Sequence, residues 1–355
     1  MAEVKKHHWL SRLTFGTAAL ILSGLLLLSY CSAVVNPAKS WVFTIFGLLF
    51  IPLFLLTVLF FVWSLFRRSR MSGLLLVMLL PSLLFIGRYW QGGKEEAAPG
   101  PLKMVSYNVG LFANSDRKYQ RIPLADSVAA FLMRTDADVI CLQEFYLPNA
   151  EDLDDFFRTR FPGYHADYYV LTGKDGHAGN VTLSRRPVLN RGKIDFEKST
   201  NLALYTDVLL DSTVVRVYNC HFESYNISVS GLLKSLRKTE EMMEETGRKM
   251  RRSITQRPRQ VDEVMHDVDN CPVRSVVLGD FNDNPLSYTY FRLSRGRKDS
   301  FVKAGRGFGA TYRTLWPFLR IDYILYPPDL AADTYEVRKV KYSDHYPIIA
   351  TYHET

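Results

Sequence analysis

Cysteine is scarce in this sequence, and the compositional biases of non-globular chains are missing. Only four cysteines occur in 355 residues, too few for a disulfide-stapled miniprotein. Cys141, Cys220 and Cys271 lie outside the apolar N-terminal region, and because three is an odd number, at least one thiol is expected to be free. A content of 47% hydrophobic and 23% charged residues excludes intrinsic disorder and a collagen-like fibre.

Most of the chain also has a net charge close to zero, although the formal total is +8. Residues 1–96 hold nine basic and three acidic residues and carry +6, so residues 97–355 carry only +2. The basic excess therefore belongs to the N-terminal quarter. It does not support a DNA-binding domain, because polyanion binding normally brings a pronounced basic surface.

Three N-terminal stretches lack charge altogether: residues 13–35, 41–66 and 71–87. A helix needs about 20 apolar residues to cross a bilayer, with roughly 17 as the lower limit, so the first two are comfortable spans and the third is marginal. Pro81 lies in the middle of the third stretch. A cleavable signal peptide is the alternative for the first stretch, but no small-residue cleavage site follows it and two more apolar stretches do.

The basic residues around these stretches predict an orientation for a multipass anchor formed by residues 1–90. Six of them lie before the first span or between the second and third spans, and three lie on the opposite side. The positive-inside rule then places the N-terminus in the cytoplasm and the rest of the chain on the exoplasmic side, periplasmic or extracellular. A re-entrant third span would reverse the side of the C-terminal part. Residues 91–101 are expected to form a short flexible linker.

From residue 102 onward, short apolar and β-branched runs alternate with turns, which predicts a layered α/β domain over residues 102–355. An amphipathic helix is expected over Leu124–Arg134, and one or two helices over Gly231–Asp267, with a break near Pro258. The predicted strands are Leu102–Val109, Asp138–Gln143, Ala178–Ser184, Tyr205–Leu210, Val214–Cys220, Arg274–Gly279, Ile321–Tyr326 and Pro347–Tyr352.

Polar side chains stand at the ends of these apolar strands, where packing alone would not select them. Taken singly, such a residue is more often a turn or a helix cap. Parallel strands of one sheet deliver their ends to a common edge, however, and a cluster of buried acids there needs a cation to offset its charge. The residues are Asn108, Glu144, His221, Asp280, Asn282, Asp322, Asp344 and His345.

The motifs around these residues resemble the endonuclease/exonuclease/phosphatase superfamily, which has the DNase I-like fold. S-Y-N-V, L-Q-E, N-C-H, G-D-F-N and S-D-H occur in family order over residues 102–354. The stretches G-D-F-N-D-N-P-L-S-Y-T-Y, G-F-G-A-T-Y and R-I-D-Y-I-L look most like bacterial membrane-anchored members. The resemblance implies a four-layer sandwich of two mixed β-sheets flanked by helices, behind a transmembrane helical anchor.

The resemblance also implies roles. Glu144 matches the metal-binding glutamate, with Asn108 beside it and Asp344 on the far side of the metal site. Mg²⁺ suits such a site because it accepts one or two carboxylates, keeps several waters and binds substrate phosphate, and Mn²⁺ is the alternative ion. Asp280 matches the residue that orients or deprotonates the attacking water, and Asn282 matches an amide that holds a phosphate oxygen.

The two histidines match the paired imidazoles of the family around the phosphoryl group. Asp322 matches the carboxylate that fixes one of them, His345 in our interpretation, in tautomer and charge. The implied reaction is in-line attack of water on phosphorus. His221 or His345 is expected to act as the general acid, and the sequence leaves open which.

Other candidate sites carry less support. The order Ser343-Asp344-His345 does not form a serine triad, because adjacent side chains on extended backbone point to opposite faces and no G-x-S-x-G elbow is present. A glycine-rich loop at 305–309 is a weaker candidate for the substrate border, with Arg306 and Tyr312 as its weak substrate-binding residues.

The segment from Lys234 to Arg259 is basic after a short acidic patch. Its ordinary interpretation is a solvated helix face, and the functional one is an insertion that presents cations to an anionic substrate or to lipid headgroups. The basic residues are Arg248, Lys249, Arg251, Arg252, Arg257 and Arg259.

These observations predict a membrane-anchored, Mg²⁺-dependent phosphoester hydrolase of the nuclease, phosphodiesterase or phosphatase class. Two substrates remain open: nucleic acid, the largest use of the family, and lipid or inositol phosphates, which a membrane-tethered site meets at high effective concentration. The expected partners are a phosphorylated substrate and the lipid bilayer, and no protein partner is readable. A catalytically silent binding module that keeps the fold is the competing hypothesis.

Overall fold

The computed structural model describes residues 2–93, 97–113, 121–149, 152–173, 176–210, 213–225 and 240–355. Two six-stranded sheets form the centre of the C-terminal domain. Sheet I has the order β13-β14-β2-β3-β5-β4, and sheet II has the order β10-β12-β9-β8-β7-β6. Each sheet contains one parallel pair, β2 with β3 and β8 with β9, among antiparallel neighbours, so both are mixed.

The strands of sheet I are β2 (Leu102–Asn108), β3 (Val139–Leu147), β4 (His165–Gly173), β5 (Gly176–Ser184), β13 (Leu330–Val337) and β14 (Ile348–Glu354). The strands of sheet II are β6 (Val188–Asp195), β7 (Leu202–Leu210), β8 (Thr213–His221), β9 (Arg274–Asp280), β10 (Lys298–Asp299) and β12 (Asp322–Tyr326). A further short pair joins β1 (Trp90–Gln91) to β11 (Gly307–Phe308).

The helices of the domain are α6 (Arg121–Met133), α7 (Asp152–Arg160), α8 (Glu240–Asp269), α9 (Tyr288–Leu293) and α10 (Ser300–Ala304). The two sheets face each other across a shared core that holds Met104 and Cys141 from sheet I and Val276 and Leu278 from sheet II. The outer face of sheet I packs on α6 and α7, and the outer face of sheet II packs on α8 and α9. This confirms the sandwich of two mixed sheets flanked by helices.

Burial on both faces explains the continuous apolar runs of the central strands. Along β3, Val139 and Cys141 enter the core between the sheets, whereas Ile140 and Leu142 enter the core beneath α6 and α7. All eight predicted strands are present with shifted ends. The sequence prediction missed β4, β6, β10 and β13, which are the four edge strands of the sheets and lack this pattern.

The predicted break near Pro258 is wrong, because α8 runs without interruption through that proline. The predicted helical residues 231–239 and the basic residue Lys234 lie outside the described residues. All four cysteines are free thiols, and burial raises the pKa of Cys141 to about 12.

The N-terminal region forms five helices: α1 (Ala2–Cys31), α2 (Val42–Leu48), α3 (Phe50–Phe66), α4 (Met71–Leu79) and α5 (Leu83–Ile86). Within the described residues, one helix, Ser11–Cys31, is long and apolar enough to cross a membrane, and α2 and α3 form a second candidate bent by 63°. The third predicted span is interrupted at Pro81, where a 3₁₀ turn over Leu80–Ser82 separates α4 from α5. Two of the three predicted spans are therefore not straight helices.

These helices are docked on the domain. Tyr89 is buried, donates from its hydroxyl to Asn284 Oδ1 at 3.2 Å, and accepts at its carbonyl from Gly309 N at 3.1 Å. The buried Arg320 donates from Nη1 to the carbonyl of Arg88 at 2.8 Å. The predicted flexible linker over residues 91–101 therefore begins in an ordered strand, because Gln91 belongs to β1.

Arg257 corrects the interpretation of the basic segment. It is 1% exposed, so it belongs neither to a solvated face nor to a substrate-presenting surface. Its Nη1 lies 3.0 Å from Asp283 Oδ2, its Nε donates to the carbonyl of Glu223 at 2.8 Å, and Tyr225 donates to the same aspartate at 2.9 Å. This buried clamp ties together the segments that follow β8 and β9. Arg248, Arg251, Arg252 and Arg259 are exposed.

We expect Arg257→Met to cost about 3–5 kcal/mol, because it leaves the Asp283 carboxylate buried without its cation. The melting temperature of the full-length protein should fall by about 10 °C. Arg259→Met, on the exposed face of the same helix, is the matched control and should change it by no more than about 2 °C. Equal shifts in the two variants, measured by thermal unfolding in detergent, would show that the clamp is not structural.

Candidate functional site

Strand pairing brings the predicted site residues to one edge of the sandwich. His221 ends β8 and is the register partner of Asp280, which ends the parallel strand β9. Asp322 opens β12 and is the antiparallel partner of Asp280 on its other side. Asn108 ends β2 of sheet I. The site is thus assembled from both sheets, whereas the sequence argument expected the strand ends of one sheet.

The carboxylate of Asp280 lies at the centre of this group. Its Oδ2 accepts from Asn108 Nδ2 at 2.8 Å and from Asn282 Nδ2 at 3.2 Å, and its Oδ1 accepts from the backbone N–H of Asn282 at 2.9 Å. The Nε2 atoms of His345 and His221 lie 3.8 and 3.9 Å from the same Oδ2. Asp280 is 1% exposed, so these groups replace water as its surroundings.

Glu144 was expected to end its strand, but β3 continues to Leu147. The pairing of β3 with β5 shifts between Leu142 and Phe145, and Glu144 occupies that irregularity with a φ of 51°. A non-glycine residue rarely adopts this left-handed backbone, and such strain concentrates at functional sites. The bulge brings Glu144 Oε1 to 3.1 Å from Asn108 Nδ2 and 3.5 Å from His221 Nε2.

Asn282 also has a left-handed backbone, with a φ of 51°. Residues two apart share a face only on extended backbone, so strand alternation does not place Asn282 beside Asp280. The tight turn nevertheless returns its amide to Asp280 and lets Nδ2 donate to the carbonyl of Phe222 at 2.9 Å.

His345 is held by Asp322. Its Nδ1 lies 3.0 Å from Asp322 Oδ2 and 3.3 Å from Oδ1, so Nδ1 carries the proton and Nε2 faces Asp280. The backbone N–H of His345 donates to Ser343 Oγ, and the Tyr312 ring meets the imidazole edge-on at 5.3 Å between ring centres. Because the imidazole pairs with Asp322 and not with the serine, the exclusion of a serine triad agrees with the geometry.

Burial and neighbouring charges change the pKa values of Asp280 and His345, and both values are raised. Burial raises the pKa of Asp280, and the Asp322 charge adds to this effect against the opposing influence of His345. Burial by itself lowers the pKa of His345, but the Asp322 and Asp280 charges outweigh it and raise that pKa well above its ordinary value. The neighbouring carboxylates therefore favour the protonated form of His345.

In the part of the chain that the structure describes, two groups of carboxylate and imidazole side chains could hold a metal ion, and both contain Asp280. One consists of Glu144, His221 and Asp280, and the other of Asp280, Asp322 and His345, each with ligand atoms within 4.8 Å of one another. Among the described residues, His221 Nε2 is buried without a hydrogen-bond partner, as expected of an atom that faces a ligand. The carboxylates of Glu144 and Asp280 are oxygen ligands of the kind that Mg²⁺ and Mn²⁺ prefer, whereas imidazole nitrogen suits ions such as Zn²⁺.

The geometry gives less direct support to the other two predicted metal ligands, Asn108 and Asp344. Asn108 directs Nδ2 toward both carboxylates, while its Oδ1 accepts from Gly110 N at 2.9 Å, so it serves here as a hydrogen-bond donor. Asp344 has an exposed side chain that accepts from Ser343 Oγ at 3.2 Å. Asp344 does not belong to either of the two groups of carboxylates and imidazoles found among the described residues.

The two weak substrate-binding candidates, Tyr312 and Arg306, lie in different places. Tyr312 lies at the site, since it bridges to His345 through the backbone as well as through its ring. Arg306 is exposed, and its side chain lies against Gly93, at the end of the anchor region.

Sequence reasoning missed a polar seam between the sheets directly beneath the site. The buried Gln143 donates from Nε2 to Asn219 Oδ1 at 2.7 Å, and Asn219 Nδ2 donates to the carbonyl of Val181 at 2.9 Å. Asn180 Nδ2 donates to the carbonyl of Asn219 at 3.1 Å. The sequence held one signal for these contacts, because Gln143 and Asn219 belong to the L-Q-E and N-C-H motifs that also contain site residues. The seam holds β3 and β8 at a set distance, which positions Glu144 and His221.

Solved structures with a similar fold come from several organisms. An endonuclease/exonuclease/phosphatase from Beutenbergia cavernae has a TM-score of 0.54 at 18% identity and covers 71% of each chain. One from Bacteroides vulgatus has a TM-score of 0.53 at 17% identity, covering 72% of this chain and 99% of that one. The human Nocturnin catalytic domain with bound sulfate has a TM-score of 0.51 at 15% identity, covering 72% and 94%. At these identities the likeness shows the fold.

Family models match two parts of the chain, although no curated protein matches it. Residues 11–89 match a domain of unknown function, so the anchor region is itself a recurring unit. Residues 105–345, well over half of the chain, match a second model that includes every predicted site residue. The chain therefore belongs to the Endonuclease/Exonuclease/phosphatase family.

Proposed function

We propose that this protein is a membrane-anchored, divalent-metal-dependent hydrolase of phosphoesters. Family membership supports phosphoester hydrolysis as the reaction class. The observation that carries the proposal is the convergence of Glu144, His221, Asp280 and His345 on one buried centre. A silent binding module would have no need for this cluster, which is costly to bury without a cation and a substrate to offset its charge.

Glu144 and Asp280 are the residues that we propose as metal ligands, with Asn108 and Asp344 as further contributors from the sequence prediction. Mg²⁺, or Mn²⁺ in its place, would offset charge on the phosphoryl oxygens when bound. Asn108 can supply an oxygen only after its amide turns, since Nδ2 now faces both carboxylates. The hydrogen bond to Gly110 N would then be exchanged.

The remaining roles follow from what each side chain faces. Asp280 is suited to orient the attacking water and to take its proton, because its carboxylate faces both imidazoles and the Asn282 amide. The Asn282 amide donates at the same centre and is suited to hold a phosphate oxygen. His345 is kept protonated and oriented by Asp322, so its Nε2 can stabilise developing negative charge or protonate the leaving group. His221 presents its unpartnered Nε2 from the other side of Asp280.

The anchor is proposed to cross the bilayer with three antiparallel segments. At one end of the helical unit Arg67 donates to Ser11 Oγ and stacks over Phe15. At the other end Tyr30 and Phe85 pack together beside Tyr89, which contacts the catalytic domain. The domain therefore lies on the side opposite Arg67. The positive-inside rule makes the Arg67 end cytoplasmic and the catalytic domain exoplasmic.

A chromogenic phosphodiester, bis(p-nitrophenyl) phosphate, tests the reaction class. The full-length protein should hydrolyse it with Mg²⁺ or Mn²⁺ and stop when a chelator is added. His221→Ala should reduce kcat by about 10²–10⁴, as expected for the loss of a group that acts in the transition state. Glu144→Gln should raise the Mg²⁺ concentration needed for half-maximal rate.

His353→Ala is the control for the first variant, because His353 is a surface histidine that pairs with Asp333 far along β14. Its rate should equal that of the unaltered protein. If no phosphoester is hydrolysed under any metal condition, the binding-module hypothesis replaces this one. If hydrolysis occurs but chelation leaves its rate unchanged, the metal dependence is refuted.

Topology is tested by a reporter fused after Thr355 that is active only outside the cytoplasm. We expect a signal from this fusion, and none from the same reporter inserted between Arg68 and Ser69, in the connection between α3 and α4. No signal from either reporter would place the catalytic domain in the cytoplasm and leave two crossings. The reverse pattern would keep three crossings and invert the orientation of the anchor.

A further inference from the structure

A cavity of about 290 Å³ lies between the anchor helices and the catalytic domain. One wall consists of residues of α2, α3 and the bend between them. The opposite wall consists of two segments of the catalytic domain, the turn after β9 and the loop before β12. The residues that argue for a ligand are Leu48, Leu55, Asn284, Leu315, Phe318 and Leu319.

The cavity is apolar except at Asn284. This residue is 3% exposed, and its Oδ1 accepts from the Tyr89 hydroxyl and from Leu286 N. Among the described residues nothing accepts from its Nδ2. A buried donor without a partner is unfavourable, so a molecule that brings an acceptor within reach of Nδ2 would be stabilised by that hydrogen bond.

The cavity continues onto the surface that the bilayer would cover. Leu49 and Leu55 are exposed on the helices, and Leu315, Trp316 and Phe318 are exposed on the facing loop of the catalytic domain. Exposed apolar side chains on both walls mark an opening toward hydrocarbon, not toward water. The ligand that fits is therefore a chain of methylenes with an oxygen acceptor at one end.

We propose that this cavity binds one acyl chain of a membrane lipid, with Asn284 Nδ2 donating to its ester carbonyl. The inference rests on the membrane anchor of the proposed function but not on catalysis. Burial of the methylenes of the acyl chain away from water favours binding. The ligand would contact the two segments that carry the site, because Asn284 follows Asn282 by two residues and Leu319 accepts at its carbonyl from Tyr312 N.

The experiment uses the full-length protein in vesicles of dioleoylphosphatidylcholine that contain an analogue with a diazirine on one acyl chain. Chelator is present throughout, so hydrolysis plays no part. After irradiation, cross-linked residues are mapped by mass spectrometry, and the labelling of residues 315–319 is the readout. Flotation with the vesicles reports insertion.

Leu48→Trp fills the cavity and should lower labelling of residues 315–319 about tenfold, equivalent to about 1.4 kcal/mol. Asn284→Asp keeps the acceptor for Tyr89 and Leu286 but removes the donor, and it should also lower the labelling. Leu59→Trp, on an exposed part of α3 outside the cavity, is the matched control and should leave labelling unchanged. All variants must melt within about 2 °C of the unaltered protein.

Two results would overturn the inference without affecting the proposed hydrolysis reaction. If the protein floats with the vesicles but residues 315–319 are unlabelled, or are labelled equally in Leu48→Trp, the loop contacts bulk lipid or none and the cavity holds no chain. If the protein does not float, the membrane anchor itself is refuted, and the cavity ligand with it. Hydrolysis of the chromogenic diester would remain intact in either case.

Discussion

The arrangement of the site depends on burying the carboxylate of Asp280 where two sheets meet. A buried carboxylate is expensive unless donors and cations surround it, and here Asn108, Asn282 and two imidazoles do so. Each of these side chains comes from a different strand end or turn. Their positions are therefore constrained together, and a shift of one strand would leave the carboxylate partly uncompensated.

Buried polar contacts add to the apolar packing that holds these strands in place. The seam of Gln143 and Asn219 joins β3 to β8 between the sheets, and the Arg257–Asp283 clamp joins the segments after β8 and β9. Both sets of contacts are buried, so removing one partner would leave the other partner buried and unpaired, which is destabilising. The anchor region adds a third restraint, because Tyr89 reaches the turn after β9 through Asn284.

Much of this could be predicted from the sequence, and what could not has identifiable causes. Central strands such as β9 are apolar on both faces and were predicted with nearly correct ends, whereas the edge strand β6 has mostly exposed side chains and was missed. His221 and Asp280 end strands and Asp322 opens one, as expected, because each adjoins the apolar run that marks its strand. The bulge at Glu144 and the left-handed turn at Asn282 depend on contacts between distant strands and leave no local signal.

The N-terminal helices show the same limit. Hydropathy identified three apolar stretches and Pro81 marks the interruption of the third, but nothing in the sequence signalled the 63° bend between α2 and α3. Arg257 was misread for a related reason: a charge count along a helix cannot tell which position faces a buried aspartate. In each case the missing information is three-dimensional pairing and not residue type.

The central claim is that the cluster around Asp280 binds a divalent cation. The most direct test is a crystal structure of the protein with Mn²⁺, recorded at the manganese absorption edge. We expect one anomalous peak about 2.0–2.3 Å from carboxylate oxygens of Glu144 and Asp280. No peak there at saturating Mn²⁺, with Asp280 still bonded to Asn108 and Asn282, would contradict the account.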